Sequence, residues 1–248
     1  METTIPAGSP PPLDSPGNEM SAGARDTIPL IVGAIPFGII FGTLAEASGI
    51  SFYAAMAMSV FVFAGSSQFI ALGMLSAGTG WPLIVLTTLV VNLRHLLYTA
   101  TLLPYLSRLS GGWKAALAFW LTDETFVVAV KRYVAADRSA NKHWYQLGSS
   151  LAMYVNWNAC TLIGLTAGQM IPGIRSWGLE FAMSATFIGM VIPYLKTRPM
   201  GAAVCVAGAT ALWANDLSYK LGLILAALAG VAAGAAAETI LKESDQEA

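Results

Sequence analysis

The sequence predicts an all-α fold: a polytopic transmembrane helix bundle of seven or eight helices, with one or two kinked or broken near mid-membrane. Hydrophobic residues make up 56% of the 248, and charged residues only 11%, against about 25% in an ordinary soluble domain. Thirteen basic and fourteen acidic side chains are too few to coat a water-soluble globule of this length. The apolar stretches are also repeatedly long enough to cross a hydrocarbon core of about 30 Å, which takes about 20 helical residues.

Residues 1–24 hold Pro6, Pro10, Pro11, Pro12 and Pro16 among Gly, Ser and acidic residues. Such a mixture buries too little surface to offset chain ordering, so a disordered N-terminal tail is expected there. It does not read as a signal peptide, because it lacks a basic start and an apolar core segment. A transmembrane domain is expected over 25–240, followed by a short polar C-terminal tail at 241–248.

The apolar runs fall at 27–45, 52–75, 81–103, 114–133, 145–169, 177–195, 199–214 and 217–237. The first follows Asp26-Thr27 and contains Pro36; the seventh is short for a full crossing. With the tail inside and all runs crossing, the inner segments hold Arg25, Lys131, Arg132, Arg138, Lys142, Lys196, Arg198 and Lys242. The outer loops hold only Arg108, Lys114, Arg175 and Lys220. Basic residues favour the cytoplasmic side, so the N-terminus is expected there. Trp113, Trp144, Trp177 and Trp213 lie near run ends, as an interfacial aromatic belt requires.

Glycine pairs Gly38/Gly42, Gly164/Gly168 and Gly230/Gly234 each place two small residues on one helix face, which lets a neighbouring helix approach closely. The last run is mostly Ala, Leu and Gly and reads as a packing or oligomer face; an oligomer is left open. Cys160 and Cys205 read as small buried apolar residues. No Cys/His spacing suggests a metal site, and no cofactor is implied. The net charge of −1 and the dispersed basic residues give no reason to expect a nucleic-acid partner.

Polar residues deep in a membrane segment are costly, about 2.5–3.5 kcal/mol for a mid-bilayer Arg or Asp, and usually line a cavity or pair with one another. The third run carries Asn92, Arg94, His95 and Tyr98 near its centre. At about 100° per residue, Thr88, Asn92, His95 and Thr99 form one stripe. Thr87, Arg94, Tyr98 and Thr101 form a second beside it, and Leu89, Val90, Leu93, Leu96 and Leu97 occupy the other half. The fourth run carries Asp123 and Glu124 near its middle. A buried Arg94–Asp123 or Arg94–Glu124 pair is expected. It serves either as a static register between two helices or as part of a solute or proton site. One Arg neutralises only one of the two acids.

In the second run, Gly65, Ser66, Ser67 and Gln68 favour a break, and broken helices in transporters aim free backbone N–H groups at substrate carboxylates. Ile35-Pro36-Phe37-Gly38 suggests a kink or a second interrupted segment. Asn156 and Asn158 suit hydrogen bonds between helices, and Lys142-His143 reads as an exposed loop cluster. The absence of G-x-x-x-x-G-K-[ST] excludes nucleotide hydrolysis by this chain alone. Without H-E-x-x-H or G-x-S-x-G, an intramembrane enzyme has little support, and no catalytic residue is assigned.

Several of these segments resemble the AzlC family of branched-chain amino acid permeases and exporters. They are Ile35-Pro36-Phe37-Gly38, the stretch Val62 to Phe69, the stretch Val91 to Tyr98, Leu121 to Phe126, and Arg198-Pro199, in that order. The resemblance covers about 25–237. It implies a cytoplasmic (inner) membrane permease that exports valine, leucine or isoleucine, with methionine as a further candidate. It also implies a separately encoded, small multi-spanning AzlD-like partner. It carries no residue-level site, so Gly65, Ser66, Ser67, Gln68, Asn92, Arg94, His95, Tyr98, Asp123 and Glu124 are substrate-binding candidates on their own chemistry. Phe63, Phe69, Phe126 and the methionines are candidates for the apolar wall. The alternative is a non-transporting assembly subunit of a larger complex.

Overall fold

A computed structural model describes residues 15–136, 139–167, 195–215, 217 and 221–246, with single positions 170, 188 and 192. All regular structure among the described residues is helical. The elements are α1 (Pro16–Ala47), α2 (Phe52–Ala57), a π-helical turn (Met58–Val62), α3 (Gly65–Ser76), α4 (Trp81–Asn92) and α5 (Arg94–Leu106). They continue with α6 (Gly111–Phe119), α7 (Asp123–Val134), α8 (Lys142–Ala167), α9 (Arg198–Trp213) and α10 (Leu221–Gln246). The run expected at 177–195 lies outside the described residues apart from single positions.

The expected tail is too long at its inner end. Ser15 caps α1, its Oγ accepting from the Asn18 N–H at 3.2 Å, and Pro16 opens the helix. Residues 16–24 are therefore helical, and Glu19 and Ala22 are buried. A proline at the first helical position lacks only an N–H that would have had no helical acceptor. At the other end, α10 continues through the polar residues to Gln246. Helix α1 also runs through Pro29 and Pro36 without interruption, so the Pro36 segment is not a break.

The chain forms two compact units, residues 1–65 with 94–174 and residues 66–93 with 175–248. In the first, α1 lies along α8 so closely that the backbones touch. A Cβ on Gly148 would stand 1.9 Å from the Met20 carbonyl oxygen, and one on Gly164 would stand 2.1 Å from that of Ile39. Gly38 and Gly42 face the same helix, while Gly168 lies outside the described residues. A hydroxyl stitches the seam, Thr27 Oγ1 donating to Ser149 Oγ at 2.7 Å, and Ser59 of the π-helical turn meets Thr161 of α8 at 2.9 Å. In the second unit, Gly230 and Gly234 on α10 receive Ala207 and Ala203 of α9, so the small-residue face of the last helix is used for packing within the unit. Cys160 is buried as expected, but Cys205 is exposed on α9.

Three consecutive apolar runs are interrupted near their middles, one more than the sequence suggests. In the second run the chain leaves the helix at Phe63, which takes left-handed backbone angles (φ 45°, ψ 43°), and resumes at Gly65. In the third, Leu93 closes a tight turn by donating to the Val90 carbonyl at 3.1 Å. In the fourth, α6 ends at Phe119 and Thr122 is extended (φ −124°, ψ 175°) before α7 begins. Lys142 and His143 do not form an exposed loop cluster. Lys142 opens α8 with its ammonium on the Ala135 carbonyl at 2.8 Å, and His143 sits edge-on to Trp113. Asn158 bonds back to Tyr154 of its own helix, and Asn156 accepts from Cys160 of the same helix, rather than reaching a neighbour.

Candidate functional site

The fourth-run interruption decides where the two acids sit. Thr122 and Thr125 form a reciprocal capping box: Thr125 N–H donates to Thr122 Oγ1 at 3.3 Å, and Thr122 N–H donates to Thr125 Oγ1 at 2.8 Å. Asp123 and Glu124 are therefore the first two residues of α7 rather than mid-helix residues. The N-terminal end of the helix dipole favours negative charge, which helps the chain hold two carboxylates in the middle of an apolar run.

Arg94, the first residue of α5, meets Asp123 with Nη1 to Oδ2 at 2.8 Å. Tyr98 lies one turn along and donates its hydroxyl to the other oxygen, Oδ1, at 2.6 Å. Its ring stacks on Phe126 with centroids 4.5 Å apart, and His95 stands edge-on to the same ring. Both oxygens of Asp123 are thus engaged, one by a cation and one by a phenol. Of the two pairings open from the sequence, the structure adopts Arg94–Asp123. Among the described residues no Lys or Arg lies within ion-pair distance of Glu124. The pair is partly accessible, with side-chain exposures of 26% for Arg94 and 14% for Asp123.

Most of the apolar half of the third run is exposed. Leu89, Leu93, Leu96 and Leu97 are all exposed, as a lipid-facing surface would be. The polar stripes are shorter than helical projection suggests. Thr99 and Thr101 are exposed, and Thr101 merely donates back to the Leu97 carbonyl.

The remaining candidates, Gly65 aside, belong to the second unit. Gly65 to Gln68 form the first turn of α3, two residues after the break rather than at it. First-turn N–H groups have no acceptor within their own helix. Gly65 belongs to the first unit, where it packs against the Trp157 ring. In the second unit, Ser67 donates to Asn92 Oδ1 at 2.7 Å, and Ser67 and Gln68 are buried.

Sequence reasoning missed a second ion pair. Arg132, in the last turn of α7, donates to both Glu19 oxygens, Nε to Oε2 at 2.9 Å and Nη2 to Oε1 at 2.5 Å. Ser139 adds a third donor to Glu19 at 2.6 Å, and the Arg132 guanidinium lies 5.9 Å from the Tyr145 ring centroid. The signal that would have found it is Ser15-Pro16 with Glu19 close behind, a helix start hidden in a proline-rich stretch. Among the described residues no group of three or more His, Cys, Asp or Glu is placed to hold a metal.

These features define an all-helical membrane protein whose apolar segments are interrupted around charged and polar residues. Two described helices, Pro16–Glu46 and Trp81–Leu106 with its turn at Leu93, are long and apolar enough to cross a bilayer. The family model "AzlC protein" matches residues 29–171, a stretch that holds the substrate-binding candidates from Gly65 to Glu124, and the chain belongs to the AzlC family. It is 30% identical over 207 residues to an inner membrane protein, YgaZ, of Escherichia coli, covering 81% of this chain and 82% of that one. It is 34% identical over 207 residues to a membrane protein of Archaeoglobus fulgidus, covering 82% and 89%. A branched-chain amino acid transport protein, AzlC, of Bacillus subtilis is 32% identical over 166 residues, covering 67% and 64%. No solved structure matches the chain.

Proposed function

We propose that this chain is a permease that carries branched-chain amino acids outward across the cytoplasmic membrane, working with a small multi-spanning AzlD-like partner. The observation that carries the reading is the imbalance at the start of α7. Arg94 and Tyr98 take up Asp123, and Glu124 stands beside them as a second acid with no Lys or Arg within ion-pair distance among the described residues. A carboxylate at that depth calls for a cation, and the ammonium of an amino acid is one. Glu124 then holds the substrate ammonium. A substrate carboxylate would meet the positive charge of the Arg94 guanidinium beside its bond to Asp123. Phe126, stacked on Tyr98, offers the start of an apolar wall. Gly65 is retained as a substrate-contacting residue in the first unit. Ser66, Ser67, Gln68 and Asn92 form a second such locus on their own unit. The N-terminus is cytoplasmic in this reading, following the basic-residue bias.

The reading is supported by the transport name of the Bacillus subtilis relative and by the chemistry of the cluster. Its test is counterflow of labelled valine into proteoliposomes holding the chain with its partner. Replacing a charged hydrogen-bond partner costs about 1.5–3 kcal/mol, so Glu124→Gln is expected to weaken half-saturation for valine by about tenfold or more. Wild-type counterflow in both Glu124→Gln and Arg94→Gln would remove the basis for it. Unchanged counterflow with the partner alone would favour the assembly-subunit reading.

A further inference from the structure

Two of the three interruptions meet the same side chain. Tyr154, on α8, donates its hydroxyl to the Val60 carbonyl inside the π-helical turn at 3.0 Å. Its ring stands edge-on to Phe63, centroids 4.9 Å apart, at the residue where the second run leaves the helix. The same ring lies edge-on to Phe119 at 6.5 Å and Trp120 at 6.1 Å, where the fourth run leaves the helix. All these residues belong to the first unit.

The local backbone explains why such a brace is needed. A π-turn widens the helix and disturbs its regular hydrogen-bond ladder, and such turns concentrate at functional positions. Phe63 is the one described non-glycine residue with positive φ. A bulky residue holds that conformation only when its surroundings enforce it, and here the ring is buried against Tyr154. On the other side, the buried Trp120 indole N–H has no acceptor among the described residues. The segment that leads into Asp123 is therefore held by ring contacts rather than by hydrogen bonds from that side chain.

We infer that Tyr154 is a positioning residue that links the interrupted helices, so that the backbone at 60–63 and the start of α7 loosen together. It touches neither Asp123 nor Glu124 in the contacts described above; it acts through Phe119 and Trp120 on the turn that presents them. This goes beyond the transport reading, because the linkage is a property of the fold whatever the protein carries.

Hydrogen–deuterium exchange on the full chain in lipid nanodiscs tests it. Tyr154→Phe keeps the ring and removes only the bond to Val60. Loss of one hydrogen bond is expected to speed exchange about fivefold at amides 60–66. The linkage further requires faster exchange at amides 120–126, with the α1–α8 seam at 149–161 still protected. Phe63→Leu carries the same test from the other end and is expected to speed exchange at 120–126 from a position far away in sequence. If either variant loosens 60–66 while 120–126 stays at the wild-type rate, the linkage is overturned. In counterflow, Tyr154→Phe is expected to lower turnover about fivefold while half-saturation stays within about twofold. Weaker half-saturation at unchanged turnover would make Tyr154 a substrate contact and would overturn the positioning role. Absence of any counterflow in the wild-type chain, with exchange behaving as expected, would count against transport and leave the linkage standing.

Discussion

Helix α7 carries an ion pair at each end, and the two are built in opposite ways. At its last turn, Arg132 meets Glu19 in a bidentate fork, and the side chains are 7% and 0% exposed. Arg132 and Ser139 supply three donors to that one carboxylate, and the cation lies close to the Tyr145 ring. At its first turn, Arg94 meets Asp123 through one nitrogen, the pair is partly accessible, and a second carboxylate stands next to it. Among the described residues the closed pair sets one cation against one acid, whereas the open pair has a second acid, Glu124, beside it. A balanced buried pair can fix two helices in register; under the proposed function, the second acid at the open end is the one that receives the substrate ammonium.

The largest expected effect breaks the closed pair. Arg132→Met leaves Glu19 buried without a cation, a change that costs about 3–5 kcal/mol. Thermal or denaturant unfolding of the purified chain measures it. The double variant Glu19→Leu with Arg132→Met, which removes both charges, is expected to regain most of that loss. Asp123→Asn should destabilise far less, because that site is more accessible and its α7 cap stays intact, yet it should weaken valine counterflow more than Arg132→Met does in the protein that remains folded. Equal stability losses from the two single variants would erase the distinction between the ends.

That distinction was only half legible in the sequence. Asp123, Glu124 and Arg94 stood out because charge is rare in an apolar run, and an ion pair between the third and fourth runs followed from their similar depth. The glycine spacings marked helix faces for close approach without saying which helices would meet, and Gly148, which lies against Met20, was not among them. The break at Trp120–Thr122 was hidden because the run reads as one continuous apolar span; yet Thr122 followed by two acids is a helix start, and the capping box realises it. Glu19 was hidden by its neighbours, since Pro10, Pro11 and Pro12 colour the stretch up to Pro16 as disordered although Ser15-Pro16 opens a helix. The left-handed backbone at Phe63 had no signal at all. Nothing in the residue type favours that conformation, and the edge-on contact with Tyr154 that accompanies it exists only in the folded chain.

A middle-sized effect sharpens the open end. Tyr98→Phe keeps the stack on Phe126 and removes the donor to Asp123 Oδ1. A hydrogen bond to a charged acceptor is worth about 1.5–3 kcal/mol, so valine half-saturation should weaken by about tenfold. Stability should fall less than in Arg132→Met, because Arg94 still neutralises the carboxylate. If unfolding shows a loss as large as that of the closed pair, Asp123 is a structural anchor like Glu19.

The smallest effect concerns the C-terminal carbonyls of α7. Lys142 places its ammonium on the Ala135 carbonyl at 2.8 Å, just past the last helical residue. A cation at a helix C-terminus contributes about 0.3–1 kcal/mol when exposed, and the gain shrinks in salt. Lys142→Met should therefore lower unfolding stability by about that much at low ionic strength and by less as salt is added, while counterflow is unchanged. A transport loss in this variant would mean that the closed end of α7 also takes part in the cycle. The contrast between a fixed end and a working end would then give way to a helix that moves as a whole.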